Sequence, residues 1–243
     1  MIRRIRKRFN KIFAEIKLFS LEIFILAGIF TIALIVFITI ARMVFEGKTH
    51  NFDNSALLFI SAYVTNIHTN VMESFTFLGT HTFLIPANLL LTAWFLFIKK
   101  RQWYSIKVPA VALSSLLLMF TLKIIFRRDR PLTPLLQAAK GFSFPSGHAL
   151  MSVTFYGLIV LIVWQNVKQP WLKWLLSLLL IVLILVIGLS RVYLRVHYAS
   201  DVLAGFAVGL VWLLLSLWIL DKVEKSSTRN MAARGLDSPQ MNR

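Results

Sequence analysis

The run "LFSLEIFILAGIFTIALIVFITIARM", residues 18–43, decides the architecture. Its only charged residues are Glu22 and Arg42. A helix rises 1.5 Å per residue, so roughly 20 apolar residues cross a hydrocarbon core of about 30 Å. This run meets that length. It is too long for the apolar region of a secretory signal and has no evident small-residue cleavage site. The basic stretch ahead of it, "MIRRIRKRFNKIF", therefore reads as a leader helix over 1–17, suited to an anionic membrane surface and followed by a retained first span.

The same criterion finds five further spans, at 76–98, 103–126, 147–165, 171–190 and 199–220. The fold class predicted is all-α, a polytopic bundle of six transmembrane helices forming one membrane domain over 18–221. Composition agrees: of 243 residues 58% are hydrophobic and 15% charged, with a mean hydropathy of +0.73. The segment "LLFISAYVTNIHTNVMESF", 57–75, is apolar but interrupted by Asn66, His68, Asn70 and Glu73. It reads as a re-entrant or interfacial helix. From Lys222 to Arg243 the chain is polar, and a disordered tail is expected there.

The formal charge of +17 could point to nucleic acid, but flanking charge on membrane spans accounts for it better, and no nucleic acid partner is expected. With six spans both termini share one face. That face carries 18 of the 27 lysines and arginines, which makes it cytoplasmic. The chain has no cysteine, which excludes disulfides, iron–sulfur clusters and thiolate zinc sites.

The charge on the opposite face is the exception to the orientation rule. Lys123, Arg127, Arg128, Arg130 and Lys140 lie in one loop, and Arg191 and Arg195 in another two spans later, so topology lets them meet. Three stretches there belong together: "KIIFRRDRP" (123–131), "FPSGHA" (144–149) and "SRVYLRVHYASD" (190–201). Clustered cations repel by about 3 kcal/mol per pair at ~6 Å and an effective dielectric near 20. A multiply charged anion relieves that repulsion, and arginine forks and lysine charges suit phosphate. Ser146 and Gly147 stand where a helix begins, which adds backbone N–H donors. His197 and Asp201 are spaced i, i+4, so the carboxylate can fix one imidazole nitrogen and leave the other free to attack. His148, on another helix, can serve as general acid.

At these residues the chain resembles the type 2 phosphatidic acid phosphatases, the membrane lipid phosphate phosphatases related to vanadium haloperoxidases. Their signature is Lys-x6-Arg-Pro, then Pro-Ser-Gly-His, then Ser-Arg-x5-His-x3-Asp. All three parts match, in order, across Lys123 to Asp201. The resemblance implies that His197 is a nucleophile forming a phosphohistidine, oriented by Asp201, with His148 as acid and then base. It implies that Lys123, Arg130, Ser146, Gly147 and Arg191 hold the phosphoryl oxygens, with no metal and no cofactor. Arg195 and Ala199 depart from residues common at those places in bacterial relatives, and Arg195 is a candidate for altering head-group preference.

The expected function is hydrolysis of a lipid phosphomonoester or diphosphate at the extracytoplasmic face of the plasma membrane, with no obligate protein partner. Undecaprenyl diphosphate, phosphatidylglycerol phosphate and phosphatidic acid are the candidate substrates. A flippase that binds anionic lipids without cleaving them, and a phosphotransferase using another acceptor, are the competing readings. Arg127 and Arg128 are read equally as solvated charge or substrate contact, and Asp129 as a local partner of a neighbouring arginine. His50, His68 and His81 are assigned ordinary polar roles.

Overall fold

The computed structural model describes residues 2–135 and 141–233, with side chains for 23–135 and 141–231. Lys140 and residues 234–243 of the expected tail lie outside the described residues. The chain forms α1 (Ile2–Phe45), α2 (His50–Ser61), α3 (Asn66–Phe77), α4 (His81–Ala93) with a π-helical continuation over Trp94–Ile98, α5 (Gln102–Phe126), α6 (Gly147–Asn166), α7 (Pro170–Tyr193) and α8 (Ala199–Ala233). No strand occurs among the described residues. Six helical segments are long and apolar enough to cross a membrane: 23–45, 66–98, 102–126, 147–166, 170–193 and 199–231. Leader and first span form one continuous helix, α1.

Two short helices replace the single segment expected over 57–75. At 12 residues each, α2 and α3 are about 18 Å long, too short to span. The two ends of α3 meet almost the same level of α7: Thr65 and Thr69 approach the Tyr193 hydroxyl at 3.3 Å, and Thr76 accepts from Arg191 at 2.7 Å. So α3 crosses the end of α7 rather than running along it. The apolar run from 66 to 98 then breaks at 78–80, where Thr80 caps α4 by accepting from the Phe83 N–H at 3.3 Å. The second span thus begins near His81, not 76.

At the other end of the bundle the helix outlasts its apolar sequence. Residues 222–233, expected as the start of a disordered tail, continue α8. Lys107, with its side chain only 9% exposed, binds Asp221 at 2.5 Å and Glu224 at 2.6 Å. That clamp ties the start of α5 to the end of α8, and a buried ammonium needs such partners.

The core is built around α6 and α8, the two most buried spans. Between membrane helices, packing replaces the hydrophobic effect as the source of association, and small residues allow it. Gly205 and Gly209 put α8 against the start of α6. A Cβ at Gly205 would lie 2.7 Å from the Ser146 carbonyl oxygen and 2.9 Å from the Ala149 Cβ; one at Gly209 would lie 3.0 Å from the Leu150 carbonyl oxygen. Gly205→Ala is therefore expected to lower the thermal midpoint of the detergent-purified protein, at a cost of about 1–3 kcal/mol. An unchanged midpoint would mean that the two helices can separate freely.

Candidate active site

Four elements converge at one end of the bundle: the end of α5, the start of α6, the end of α7 and the start of α8. The turn between α7 and α8 carries His197. Its tightness follows from the Val196 and His197 N–H groups both donating to the Arg191 carbonyl, at 3.1 and 3.3 Å, with Arg195 in the left-handed region at φ 55°. The result drives His197 inward until it is 2% exposed.

The imidazole has a defined partner on each nitrogen. Arg130 Nη1 lies 3.3 Å from His197 Nε2. A guanidinium can only donate, so Nε2 carries the lone pair and Nδ1 the proton. On the Nδ1 side, Ser143 Oγ is 3.3 Å away and Asp201 Oδ2 3.5 Å. Ser143 donates its own hydroxyl proton to Asp201 Oδ2. The Tyr198 N–H also donates to that oxygen, at 2.9 Å. Burial pushes the His197 imidazole down to about 4, against the opposing pull of Asp201. It is therefore neutral at pH 7.

Lys123, Arg130 and Arg191 lie together at this end of the bundle. Lys123 Nζ donates to the Phe142 carbonyl at 2.5 Å, and Arg130 reaches the same oxygen through Nη2 at 3.4 Å. Arg130 also donates to the carbonyls of Gly141 (2.9 Å) and Val196 (2.7 Å). Arg191, 5% exposed, donates to Thr76 Oγ1, while its Nε is buried without a partner among the described residues. Neutral oxygens bind all three cations; no carboxylate lies within 4 Å of any of them among the described residues. Burial lowers the proton affinity of Arg130, with Asp201 partly opposing it. A cluster so arranged favours an anion.

His148 stands at the first turn of α6 with its Nε2 buried and unpartnered among the described residues. Gly79, in the break between α3 and α4, lies against it; a Cβ there would come within 3.1 Å of His148 Cδ2 and 2.6 Å of Ile187 Cγ2. The Ser146 hydroxyl caps α6 by accepting from the Ala149 N–H at 3.5 Å, and its N–H donates to the Asp201 carbonyl at 3.0 Å. Ser146 is fully buried and thus builds the helix start, while the N–H groups of Gly147 and His148 take no protein partner among the described residues. No group of histidines and acidic residues among the described residues has the arrangement of a metal site.

Two expectations are corrected. Arg128 is not a solvated charge, and it is set apart from Lys123, Arg130 and Arg191: it binds Asp201 Oδ1 and Asp53 Oδ2, each at 2.6 Å. Burial works against its charge, but Asp201 and Asp53 outweigh it and raise its proton affinity. Asp129 forms no ion pair within 4 Å among the described residues, since Arg127 turns back to the Ile124 carbonyl and Arg128 to α2 and α8. Ser143, Thr76, Gly79 and Asp53 had no assigned place in the sequence reading. Only Ser143 has a local signal, standing directly before the FPSGHA stretch (144–149).

The PAP2 superfamily profile matches residues 104–225. Phosphatidylglycerophosphatase B of Bacillus subtilis (strain 168) is 32% identical over 158 residues, covering 64% of this chain and 76% of that protein. The crystal structure of a transmembrane PAP2-type phosphatidylglycerolphosphate phosphatase from Bacillus subtilis superposes with a TM-score of 0.72 at 26% identity, covering 80% of this chain and 96% of the other. Aquifex aeolicus LpxE shares the fold, with a TM-score of 0.53 at 21% identity over 66% of this chain and 92% of its own.

Proposed function

This chain belongs to the PAP2 superfamily, and on that footing we propose that it cleaves a phosphomonoester or diphosphate from a lipid head group through a phosphohistidine at His197. The observation that carries the reading is the direction of the His197 lone pair. Nε2 faces Arg130 within a cluster of cations that lack carboxylate partners, while Nδ1 is turned to Ser143 and Asp201.

The chemistry follows from that arrangement. Lys123, Arg130, Arg191 and the free N–H groups at Gly147 and His148 hold the phosphoryl oxygens and offset their charge. Nε2 attacks phosphorus, the P–O bond to the lipid breaks, and His148 gives its proton to the departing oxygen. His197 becomes a positively charged phosphoimidazolium, which Asp201 stabilises. Water then attacks phosphorus, His148 takes the proton, and the P–N bond breaks to release phosphate.

A lipid substrate fits a site at the end of six membrane helices, where a head group can reach the cations while its chains stay among the helices. The name of the B. subtilis relative supports phosphatidylglycerol phosphate as a substrate, with undecaprenyl diphosphate and phosphatidic acid as the other candidates. The unequal distribution of basic residues supports an extracytoplasmic site with cytoplasmic termini.

The test is phosphate release from these three lipids in mixed micelles with EDTA present. Release that EDTA leaves unchanged is expected; movement of lipid between vesicle leaflets with no phosphate released would overturn the reading. Within the mechanism, Ser143→Ala removes one hydrogen bond from Asp201 and another from Nδ1. A fall in kcat of about tenfold with KM unchanged is expected, the size of one hydrogen bond of about 1.4 kcal/mol. Steady-state kinetics on the same lipids would show it.

A further inference from the structure

Arg128 stands apart from the other three cations because it is fully paired, and with two carboxylates. Nη1 donates to Asp201 Oδ1 at 2.6 Å and to Ser200 Oγ at 2.7 Å; Nη2 donates to Asp53 Oδ2 at 2.6 Å and to Thr49 Oγ1 at 2.9 Å. Asp53 comes from the short helix α2 and is 1% exposed. It also accepts from the Ser200 N–H at 2.9 Å and the Ser200 hydroxyl at 2.8 Å. The Tyr198 ring covers the guanidinium, 4.3 Å from its centroid. A helix too short to span is thus pinned to the start of α8 beside Asp201.

We propose that Asp53 is a positioning residue for the reaction, acting through Arg128 to keep Asp201 in place and anionic toward His197. A lone guanidinium against a lone buried carboxylate cancels it, and a cancelled Asp201 would do little for a phosphoimidazolium. With Asp53 on the same guanidinium, the three groups sum to one negative charge. The side of that charge not held by Arg128 is Asp201 Oδ2, which faces Nδ1 and also accepts from Ser143 and the Tyr198 N–H. Arg128 therefore fixes the carboxylate without silencing it. A second effect is mechanical: Asp53 holds both Arg128 and the Ser200 backbone, so α2 becomes a brace for the turn that carries His197. The inference rests on the reading of His197 as the group that acquires positive charge.

Other charges face His197: Asp201 from α8, Arg130 from the α5–α6 loop, Arg191 from α7 and His148 from α6, with Lys123 of α5 acting on Arg130, Asp201 and Arg191 and His81 of α4 acting on His148. They stay constant in the variants below, so a shift in the titration of His197 reports the Asp53–Arg128 pair.

The experiment measures kcat and KM for dioctanoyl phosphatidic acid across pH with the purified full chain in mixed micelles. Neutral His197 is the reactive form, so kcat/KM falls on the acid side as it protonates. Asp53→Asn removes a negative charge, disfavours the imidazolium and moves that limb to lower pH. Arg128→Gln removes a positive charge and moves it to higher pH. Shifts of about 0.8 to 1.5 pH units are expected, the size of one charge at ~8 Å and an effective dielectric of 20–40. The double variant should return to within ~0.3 unit of wild type, since the two charge changes cancel. Each single variant should lose roughly ten- to a hundredfold in kcat with KM within about threefold. The substrate's own second ionisation, near pH ~6, is common to all variants and drops out of the comparison.

If neither limb moves while His197→Ala is inactive, Asp53 is only structural and the proposal fails alone. If His197→Ala still releases phosphate, the functional reading fails instead. Should Asp53→Asn not accumulate as folded protein, Arg128→Gln and Arg128→Lys carry the test. Lysine keeps the charge, so its limb should stay within ~0.3 unit of wild type while that of the glutamine variant rises. Equal limbs would overturn the proposal.

Discussion

His197→Ala is expected to abolish phosphate release, by at least about a thousandfold, with the protein still folded and still binding lipid phosphate. Alanine removes the Nε2 lone pair that faces Arg130 but leaves Lys123, Arg130 and Arg191 on their own carbonyl and hydroxyl partners. Binding and chemistry should therefore separate: the variant should still take up inorganic phosphate or product while releasing none. The cavity left by the ring costs stability, but the turn is held by backbone bonds from Val196 and His197 to Arg191 that alanine keeps. Isothermal titration with phosphate beside a malachite green assay on lipid would show both halves. A variant that turns over within tenfold of wild type would remove His197 from the mechanism.

His148→Ala is expected to give the second largest loss, roughly a hundred- to ten-thousandfold on a lipid alkoxide leaving group. The distinguishing feature is its dependence on the leaving group. Without a proton donor, an alkoxide leaves badly, whereas a nitrophenolate needs little help. The first step should therefore recover with p-nitrophenyl phosphate. The second step also uses His148, to activate water, and should remain slow. A burst of nitrophenol close to one per enzyme, followed by slow turnover, is the expected trace. A uniform loss on both substrates, with no burst, would contradict a dual role. The sharper variant is Gly79→Val, which leaves His148 in place but drives a side chain toward its Cδ2 and Ile187.

The candidate site was legible because its chemistry is written in short intervals. Lys123 and Arg130 stand at the end of α5 and in the loop just after it, His197 and Asp201 in one turn and helix start, and each interval has a physical reason. The six spans were legible for a similar reason, since bilayer thickness fixes their length. What escaped depends on contacts between distant elements. Asp53 looks like an ordinary interfacial acid until α2 is laid beside the start of α8, and no periodicity reveals that. The break at 78–80 hides in a continuous apolar run; it becomes visible when Gly79 meets Ile187 and the Leu78 carbonyl accepts from Tyr156 at 2.8 Å. The helical start of the tail depends on Lys107 finding Asp221 and Glu224 across the bundle. Ser146 was read from its motif as a phosphate ligand, and its hydroxyl is the cap of α6.

The most direct test of the account is to find the covalent intermediate. Purified enzyme would be mixed with lipid carrying ³²P in its terminal phosphate, quenched in alkali within milliseconds, digested and mapped. The account predicts acid-labile, alkali-stable label on the peptide containing His197 and none in His197→Ala. Rapid turnover with no labelled peptide, or label on any other residue, would contradict it.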